Sequence, residues 1–207
     1  MSGGAPEVIA EGLWRWLAPH PEWRTESEPD GAEDWDELVG CVLYLLADTA
    51  VLIDPLLAPE PDGATQLQWL DETIGELPVS ILTTATVHRR DREALAERYA
   101  GRGSRAWNFV PPGVQPKPVR GAGEALYWLP GAGALVAGDL LVGDGGGAVS
   151  VCPASWFEGA QIDRAGAAQQ MRALLELPVE RVLVSHGEPA LHDGRAALAR
   201  ALSEANG

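Results

Sequence analysis

Residues 134–139 read Ala-Leu-Val-Ala-Gly-Asp, an apolar run that ends in a glycine and a carboxylate. Such a run predicts a short buried strand, with Asp139 in the loop directly after it. Residues 182–188 read Val-Leu-Val-Ser-His-Gly-Glu and place His186 in the same position behind a second apolar run. Because functional groups of α/β proteins collect where strands end, Asp139 and His186 are candidate site residues.

A third apolar run, at residues 79–83, is followed by the loop that contains His88. Together with Asp139 and His186, His88 makes a set of two imidazoles and one carboxylate, which suits zinc, iron or manganese. Each residue alone has a plainer interpretation, as a loop histidine, a turn carboxylate or the end of a strand. Spacing alone leaves the metal hypothesis and these structural roles open.

The apolar pattern over the rest of the chain predicts a mixed α/β fold. Strands are predicted at residues 8–16, 39–46, 50–54, 79–83, 106–109, 124–129, 134–137 and 182–184. Helical spacing covers residues 64–77, 90–99 and 165–177. Asp193 is expected to cap a last helix by accepting a hydrogen bond from its first amides. Residues 25–36 and 143–147 have the composition of loops.

The composition is that of a globular protein with an acidic surface. The 207 residues suit one large domain or two small ones, and 46% of them are apolar, enough for a packed core. No apolar run is long enough to cross a bilayer and no signal peptide is recognisable, so we expect a cytoplasmic protein. The formal net charge of −15 argues against binding to nucleic acids or membranes.

The two cysteines and the first tryptophans have ordinary packing roles in this interpretation. Cys41 and Cys152 form no metal-binding or redox pair, and both are expected to be buried. The alternative for Cys152 is a reactive thiol. Trp14 and Trp16 alternate in the first predicted strand and are expected to pack into the core. An exposed patch formed by these rings and Trp23 would instead indicate a ligand or dimer contact.

The order of these stretches resembles the metallo-β-lactamase superfamily. Residues 51–55, Val-Leu-Ile-Asp-Pro, are similar to its early strand that ends in aspartate. Residues 81–84 resemble the strand that leads into its histidine-rich metal loop. Gly138-Asp139 matches the pair that carries the family's bridging aspartate, and His186 matches its last metal histidine.

The resemblance implies a single domain over residues 1–207 with a four-layer αβ/βα sandwich, in which two β-sheets pack face to face under outer helices. It also implies a site where metal ions activate water for hydrolysis. Residues 14–23 and 185–189 are similar to a small bacterial branch of the superfamily.

Most of the metal ligands that the resemblance implies are missing. The family loop reads Thr-His-x-His-x-Asp-His and corresponds here to the loop that starts at Thr84. Its four ligand positions hold Ala85, Val87, Arg89 and Arg90. A shift of one residue would place His88 at the second histidine position and Asp91 at the last. The family's middle histidine should lie in residues 114–123, which contain none.

Two functional hypotheses follow from this degenerate site. The favoured one is a relative without two-zinc hydrolase activity, non-catalytic or binding a small-molecule or anionic ligand. The alternative is a mononuclear metal-dependent hydrolase of a small ester, thioester or lactone. Asp139, His186 and His88 would hold at most one weakly bound zinc, iron or manganese ion.

The same residues lead to three expectations about the arrangement of charged side chains around the site. Asp139 and His186 should lie close together at one edge of the fold. Asp54 should be structural rather than a ligand, with its carboxylate accepting hydrogen bonds from loop amides. The guanidinium groups of Arg89 and Arg90 could replace the lost metal charge and pair with Asp139.

Overall fold

The computed structural model of the chain describes residues 5–23, 37–102 and 109–205. The loop expected at residues 25–36 and most of the strand expected at residues 106–109 lie outside these ranges. The chain divides into two compact units, the first made of residues 1–83 and 87–112 and the second of residues 84–86 and 113–207. The single-domain organisation stays a prediction. No helix in the described ranges is long and apolar enough to cross a membrane.

The described residues of the first unit form a five-stranded sheet and two α-helices. Its elements are β1 (Glu7–Ala10), β2 (Leu13–Pro19), β3 (Leu38–Leu45), β4 (Ala50–Ile53), α1 (Asp62–Ile74), β5 (Val79–Leu82) and α2 (Arg92–Arg98). The strands lie in chain order, and every neighbouring pair is antiparallel except β4 and β5. The parallel pair is possible because α1 carries the chain back along the sheet.

The core of the first unit forms between this sheet and its helices. Trp16 is 1% exposed, and its indole meets Trp69 of α1 edge to face with ring centroids 5.8 Å apart. The Trp16 Nε1–H donates to the carbonyl of Leu56 at 2.8 Å. Trp14 is half-buried and packs against the same core. Core packing, the role expected for these rings, is therefore confirmed for Trp16.

The strand predicted over residues 8–16 was wrong in one respect, because the chain turns in the middle of it. Ala10 pairs with Leu13, so β1 and β2 form a tight hairpin. Gly12 in this turn has φ of 70°, a conformation that residues with a Cβ adopt at a cost. The pair Glu11-Gly12 interrupts the apolar residues at this point and is the turn signal that the strand prediction passed over.

The second unit contains a four-stranded sheet, a separate hairpin and two helices. Its elements are β6 (Gln115–Val119), β7 (Glu124–Leu129), β8 (Ala134–Val136), β9 (Leu141–Gly145), β10 (Ala148–Val151), α3 (Arg164–Met171), β11 (Arg181–Leu183) and α4 (Gly194–Glu204). The sheet order is β11-β8-β7-β6, with β11 parallel to β8 and the other pairs antiparallel. Leu135 and Val182 of the sheet pack with Met171 of α3 and Leu198 of α4 in one apolar cluster.

Three predictions for the second unit need correction. The glycine-rich stretch at residues 143–147 was predicted as a loop, but residues 143–145 belong to β9 and only Gly146 and Gly147 form the turn to β10. The hairpin β9–β10 was not predicted. The helix predicted at residues 165–177 ends as an α-helix at Met171 and continues as a 3-10 turn at Arg172–Glu176. Asp193 makes no side-chain cap. The amides of Gly194 and Arg195 donate instead to the carbonyls of residues 180 and 179.

Candidate metal centre

The register of two parallel strands brings Asp139 and His186 together. Val136 of β8 pairs with Leu183 of β11, and the Ala137 amide continues the pairing by donating to the Leu183 carbonyl at 2.8 Å. Asp139 lies three residues after Val136, and His186 lies three residues after Leu183. Because both strands run in the same direction, both side chains leave the sheet at one edge.

Asp139 Oδ1 lies 3.2 Å from His186 Nε2. The side chain of His186 is 9% exposed and that of Asp139 is 31% exposed, so the pair opens to solvent on the carboxylate side. The expectation that these two residues lie close together is confirmed. Trp156, in a 3-10 turn at Ala154–Phe157, meets the His186 ring edge to face with centroids 5.4 Å apart. Trp156 therefore forms a wall beside the imidazole, a role that nothing in its sequence context indicated.

The turn that carries Asp139 is held by a buried carboxylate. Glu124, the first residue of β7, is 7% exposed. Its Oε1 accepts from the amide of Gly138 at 2.9 Å, and its Oε2 accepts from the amides of Asp139 at 2.9 Å and Leu140 at 3.0 Å. From the sequence, Glu124 was predicted only as part of a strand. The available signal was a charged residue at the start of an otherwise apolar buried run.

Gly138 is required by the crowding around this turn. A Cβ on Gly138 would lie 2.2 Å from Thr84 Oγ1 and 3.1 Å from Glu124 Oε1. Thr84 is itself buried, so it has little room to move away. The glycine in Gly138-Asp139 therefore allows the close approach that puts the Asp139 amide within reach of Glu124.

The thiol of Cys152 is buried near the same carboxylates. Desolvation by burial, followed by the charges of Glu124 and Asp139, raises the pKa of Cys152 to about 12. A thiol with such a pKa is protonated at neutral pH and is a poor metal ligand or nucleophile. This result agrees with the structural role predicted for Cys152.

In the first unit, Asp54 and His88 form a buried pair. Ile53 of β4 lies opposite Leu82 of the parallel strand β5, so Asp54 and the loop with His88 follow the same edge of that sheet. Asp54 Oδ2 lies 3.0 Å from His88 Nδ1, and both side chains are almost fully buried, at 3% and 6% exposed. The Asp54 carboxylate was predicted to accept hydrogen bonds from loop amides. Its contact with the His88 imidazole was not predicted.

The backbone around Asp54 is fixed by the residues that follow His88. Arg90 Nη1 donates to the carbonyls of Asp54 at 2.9 Å and Gly40 at 3.4 Å. Asp91 Oδ2 accepts from the amide of Leu57 at 2.7 Å, and the Asp91 amide donates to the carbonyl of Pro55. Asp91 stands at a ligand position when the family loop is aligned with a shift of one residue. In the structure its hydrogen bonds hold the backbone of residues 55–57. The pairing of Arg90 with Asp139 stays a prediction.

The two pairs have the donor chemistry that a divalent metal needs. An ionised carboxylate only accepts hydrogen bonds, so an ionised Asp54 beside a neutral His88 would favour the tautomer that carries its proton on Nδ1. In that tautomer the ligand atom of His88 would be Nε2. Two ligands on a tetrahedral zinc with bonds of about 2.0 Å lie about 3.3 Å apart. The 3.2 Å between Asp139 Oδ1 and His186 Nε2 fits this spacing.

Asp139 and His186 lie in the second unit, whereas His88 lies in the first. Each histidine is buried, and Asp139 is half-buried. The ligand set of His88, Asp139 and His186 stays a prediction from the sequence.

Comparison with solved structures identifies the fold. The metallo-β-lactamase DIM-1 matches with a TM-score of 0.65 at 14% identity, over 98% of this chain and 96% of that chain. FIM-1 from Pseudomonas aeruginosa in its mono-zinc form matches with a TM-score of 0.59 at 15% identity, over 100% of this chain and 96% of that chain. A metallo-β-lactamase from Hirschia baltica matches with a TM-score of 0.58 at 15% identity, over 97% of each chain.

The chain therefore has the metallo-β-lactamase fold, and the predicted fold class is confirmed. No protein-family model matches the sequence, and no curated protein is similar enough to match it. At the identities found, the likeness to solved structures concerns the fold, so the function must be argued from the side chains of the site.

Proposed function

We propose that this protein is a single-metal member of the metallo-β-lactamase fold and that it lacks the two-zinc centre. His88, Asp139 and His186 would hold one zinc, iron or manganese ion. The observation that carries the proposal is the spacing of Asp139 Oδ1 and His186 Nε2, 3.2 Å apart with the imidazole buried. The buried Asp54–His88 pair supports it, since a carboxylate behind a histidine is a common arrangement at metal sites.

The residues around His88 argue against a second metal. Ala85 and Val87 have no ligand atoms, and Arg89 and Arg90 carry permanent positive charge that opposes a cation. Residues 114–123 supply no histidine. Three ligands are the usual protein contribution to one catalytic zinc, and they leave one coordination position open.

The proposed reaction is hydrolysis of a small ester, thioester or lactone. When bound, the metal supplies Lewis acidity toward a carbonyl oxygen and lowers the pKa of water. Asp54 holds the Nδ1 proton of His88, and Glu124 holds the turn that aims Asp139 at His186. The indole of Trp156 offers an apolar surface beside His186 for the acyl part of a substrate.

A second candidate is a non-catalytic module that binds a small anion. It is favoured by Arg89, which is exposed and directly follows the buried His88. An exposed guanidinium is well suited to carboxylate or phosphate groups because it donates two parallel hydrogen bonds. In this case the two histidine–aspartate pairs would be structural remnants of a metal site.

Metal stoichiometry separates the two candidates. Native mass spectrometry and elemental analysis after zinc exposure should give one equivalent per chain in the wild type. The variants Asp139→Ala, His186→Ala and His88→Ala should lose it, whereas His192→Ala, which removes an exposed histidine, should keep it. Two tightly held equivalents, with a hydrolytic activity that a chelator abolishes, would contradict the proposal. A folded wild type that takes up no metal would leave the anion-binding module as the function to test.

A further inference from the structure

Glu124 is a buried carboxylate whose two oxygens both accept backbone hydrogen bonds. Oε1 accepts from Gly138, and Oε2 accepts from Asp139 and Leu140, all at 2.9 to 3.0 Å. A buried carboxylate is costly without such donors, and these three amides supply them. With both oxygens engaged in this way, Glu124 is poorly placed to serve as a fourth metal ligand.

The strand register explains why the carboxylate meets these particular amides. β7 and β8 pair Tyr127 with Val136, and continuing this antiparallel register by three residues sets Glu124 opposite Asp139. β8 has already ended at Val136, so the amides of residues 138–140 have left the ladder. The Glu124 side chain takes the place of the ladder carbonyls and fixes three successive amides at once.

We propose that Glu124 is a positioning residue that orients Asp139 for metal binding. The inference rests on the proposed single-metal function. By fixing the amides on both sides of Asp139 as well as its own, Glu124 holds the backbone from which the carboxylate faces His186 Nε2. A looser turn would let the Asp139 side chain occupy other rotamers, and the ligand pair would lose its preset spacing. Glu124 acts through Asp139 and makes no contact with the metal or substrate.

The test compares zinc affinity in two variants and a control. Glu124→Gln keeps the shape of the side chain but turns one acceptor oxygen into a donor that faces an amide N–H. Asp163→Asn is the matched control. The Asp163 carboxylate caps α3 and also accepts a hydrogen bond from a backbone amide, that of Gly166, at 2.8 Å. Zinc dissociation constants are measured by competition with a chromogenic chelator. Amide hydrogen exchange of residues 138–140 is measured in the metal-free proteins.

Glu124→Gln should weaken zinc binding about 10- to 100-fold, the usual effect of losing a group that orients a ligand, and should speed exchange at residues 138–140. Asp163→Asn should bind zinc like the wild type. If Glu124→Gln does not fold, the same measurements are made on Glu124→Asp. The aspartate keeps the negative charge, but its shorter side chain ends farther from the amides of the turn. Unchanged zinc affinity in a folded Glu124 variant, beside a wild type that binds zinc, overturns this inference alone. A wild type that binds no zinc overturns it together with the proposed function.

Discussion

The backbone carbonyl of His186 accepts a hydrogen bond from the amide of Gly143 at 2.9 Å. This bond ties the loop of a candidate ligand to strand β9. The contact is close because both segments are glycine-rich there: a Cβ on Gly187 would lie 2.3 Å from the carbonyl oxygen of Gly143. The position of His186 therefore depends on backbone-to-backbone packing that tolerates no added side chain.

The first prediction concerns this contact. Gly187→Ala should destabilise the protein by about 1–3 kcal/mol through overpacking, in addition to about 1 kcal/mol for its φ of 80°. Gly159→Ala is the control, since Gly159 has the same backbone conformation with open space around it and should show only the smaller loss. Urea unfolding of both variants measures the difference. Equal losses would show that the contact with Gly143 is unimportant.

The second prediction concerns Asp54. Asp54→Ala should lower the free energy of unfolding by about 1–3 kcal/mol, because the buried His88 imidazole loses its partner. The same change should weaken zinc binding about 10- to 100-fold. Asp54→Asn is the milder variant, because asparagine tolerates the φ of 49° at this position and its amide oxygen can still accept from Nδ1. A wild-type melting temperature in Asp54→Ala would refute the structural role.

The third prediction concerns both thiols. Burial raises the pKa of Cys41 to about 11 and that of Cys152 to about 12, so each favours its neutral form at pH 8. Iodoacetamide should leave the native protein unlabelled at that pH, because only the thiolate reacts. The denatured chain should take up two labels, counted by intact mass. Labelling of either cysteine before unfolding would show that its site opens in the native state.

The fourth prediction concerns the pH dependence of stability. A hydrogen bond from Arg98 holds the pKa of Asp71 below its usual range. The ion pair therefore stabilises the fold above the unfolded-state pKa of aspartate, about 3.9, and this contribution is lost as the pH falls through the lower folded-state value. Arg98 is half-exposed, so Asp71→Asn should cost no more than about 1 kcal/mol at pH 7.

Chemical denaturation across a series of acidic buffers checks this prediction. The stability curves of Asp71→Asn and the wild type should converge as the pH falls. Added salt should also narrow the difference at pH 7, because it screens exposed charges. If the difference in the free energy of unfolding between Asp71→Asn and the wild type stays constant with pH, the effect of the substitution is not electrostatic.

The proximity of Asp139 and His186 was predictable because strand ends follow local rules. Asp139 and His186 each stand directly behind a short apolar run, and the pairing of β8 with β11 turns this similarity in sequence into proximity. His88 was less clear, since its loop departs from the family pattern in register. Its buried partner Asp54 belongs to a separate strand, and the approach of the two depends on the parallel pairing of β4 and β5.

The remaining features depend on contacts that periodicity does not encode. The role of Glu124 requires knowing that β8 stops at Val136 while β7 begins opposite the turn. The hairpin at Gly12 was missed because apolar residues on both sides of Glu11-Gly12 suggest one continuous strand. Asp193 has the composition of a helix cap, but the carbonyls of residues 179 and 180 reach the first amides of α4. In each case a tertiary contact overrides the local signal.

The two parallel strand pairs set the order in which the two histidine–aspartate pairs can form during synthesis. Parallel neighbours need a long crossover, so the partner of an early strand is synthesised much later. Only α1 and β5 are synthesised between Asp54 and His88. Between Asp139 and His186, by contrast, β9, β10, α3 and β11 are synthesised. A nascent chain that has stalled within that second crossover carries Asp139 without the His186 imidazole, and the edge of β8 that later pairs with β11 is still open. Open strand edges are where incompletely folded chains tend to aggregate.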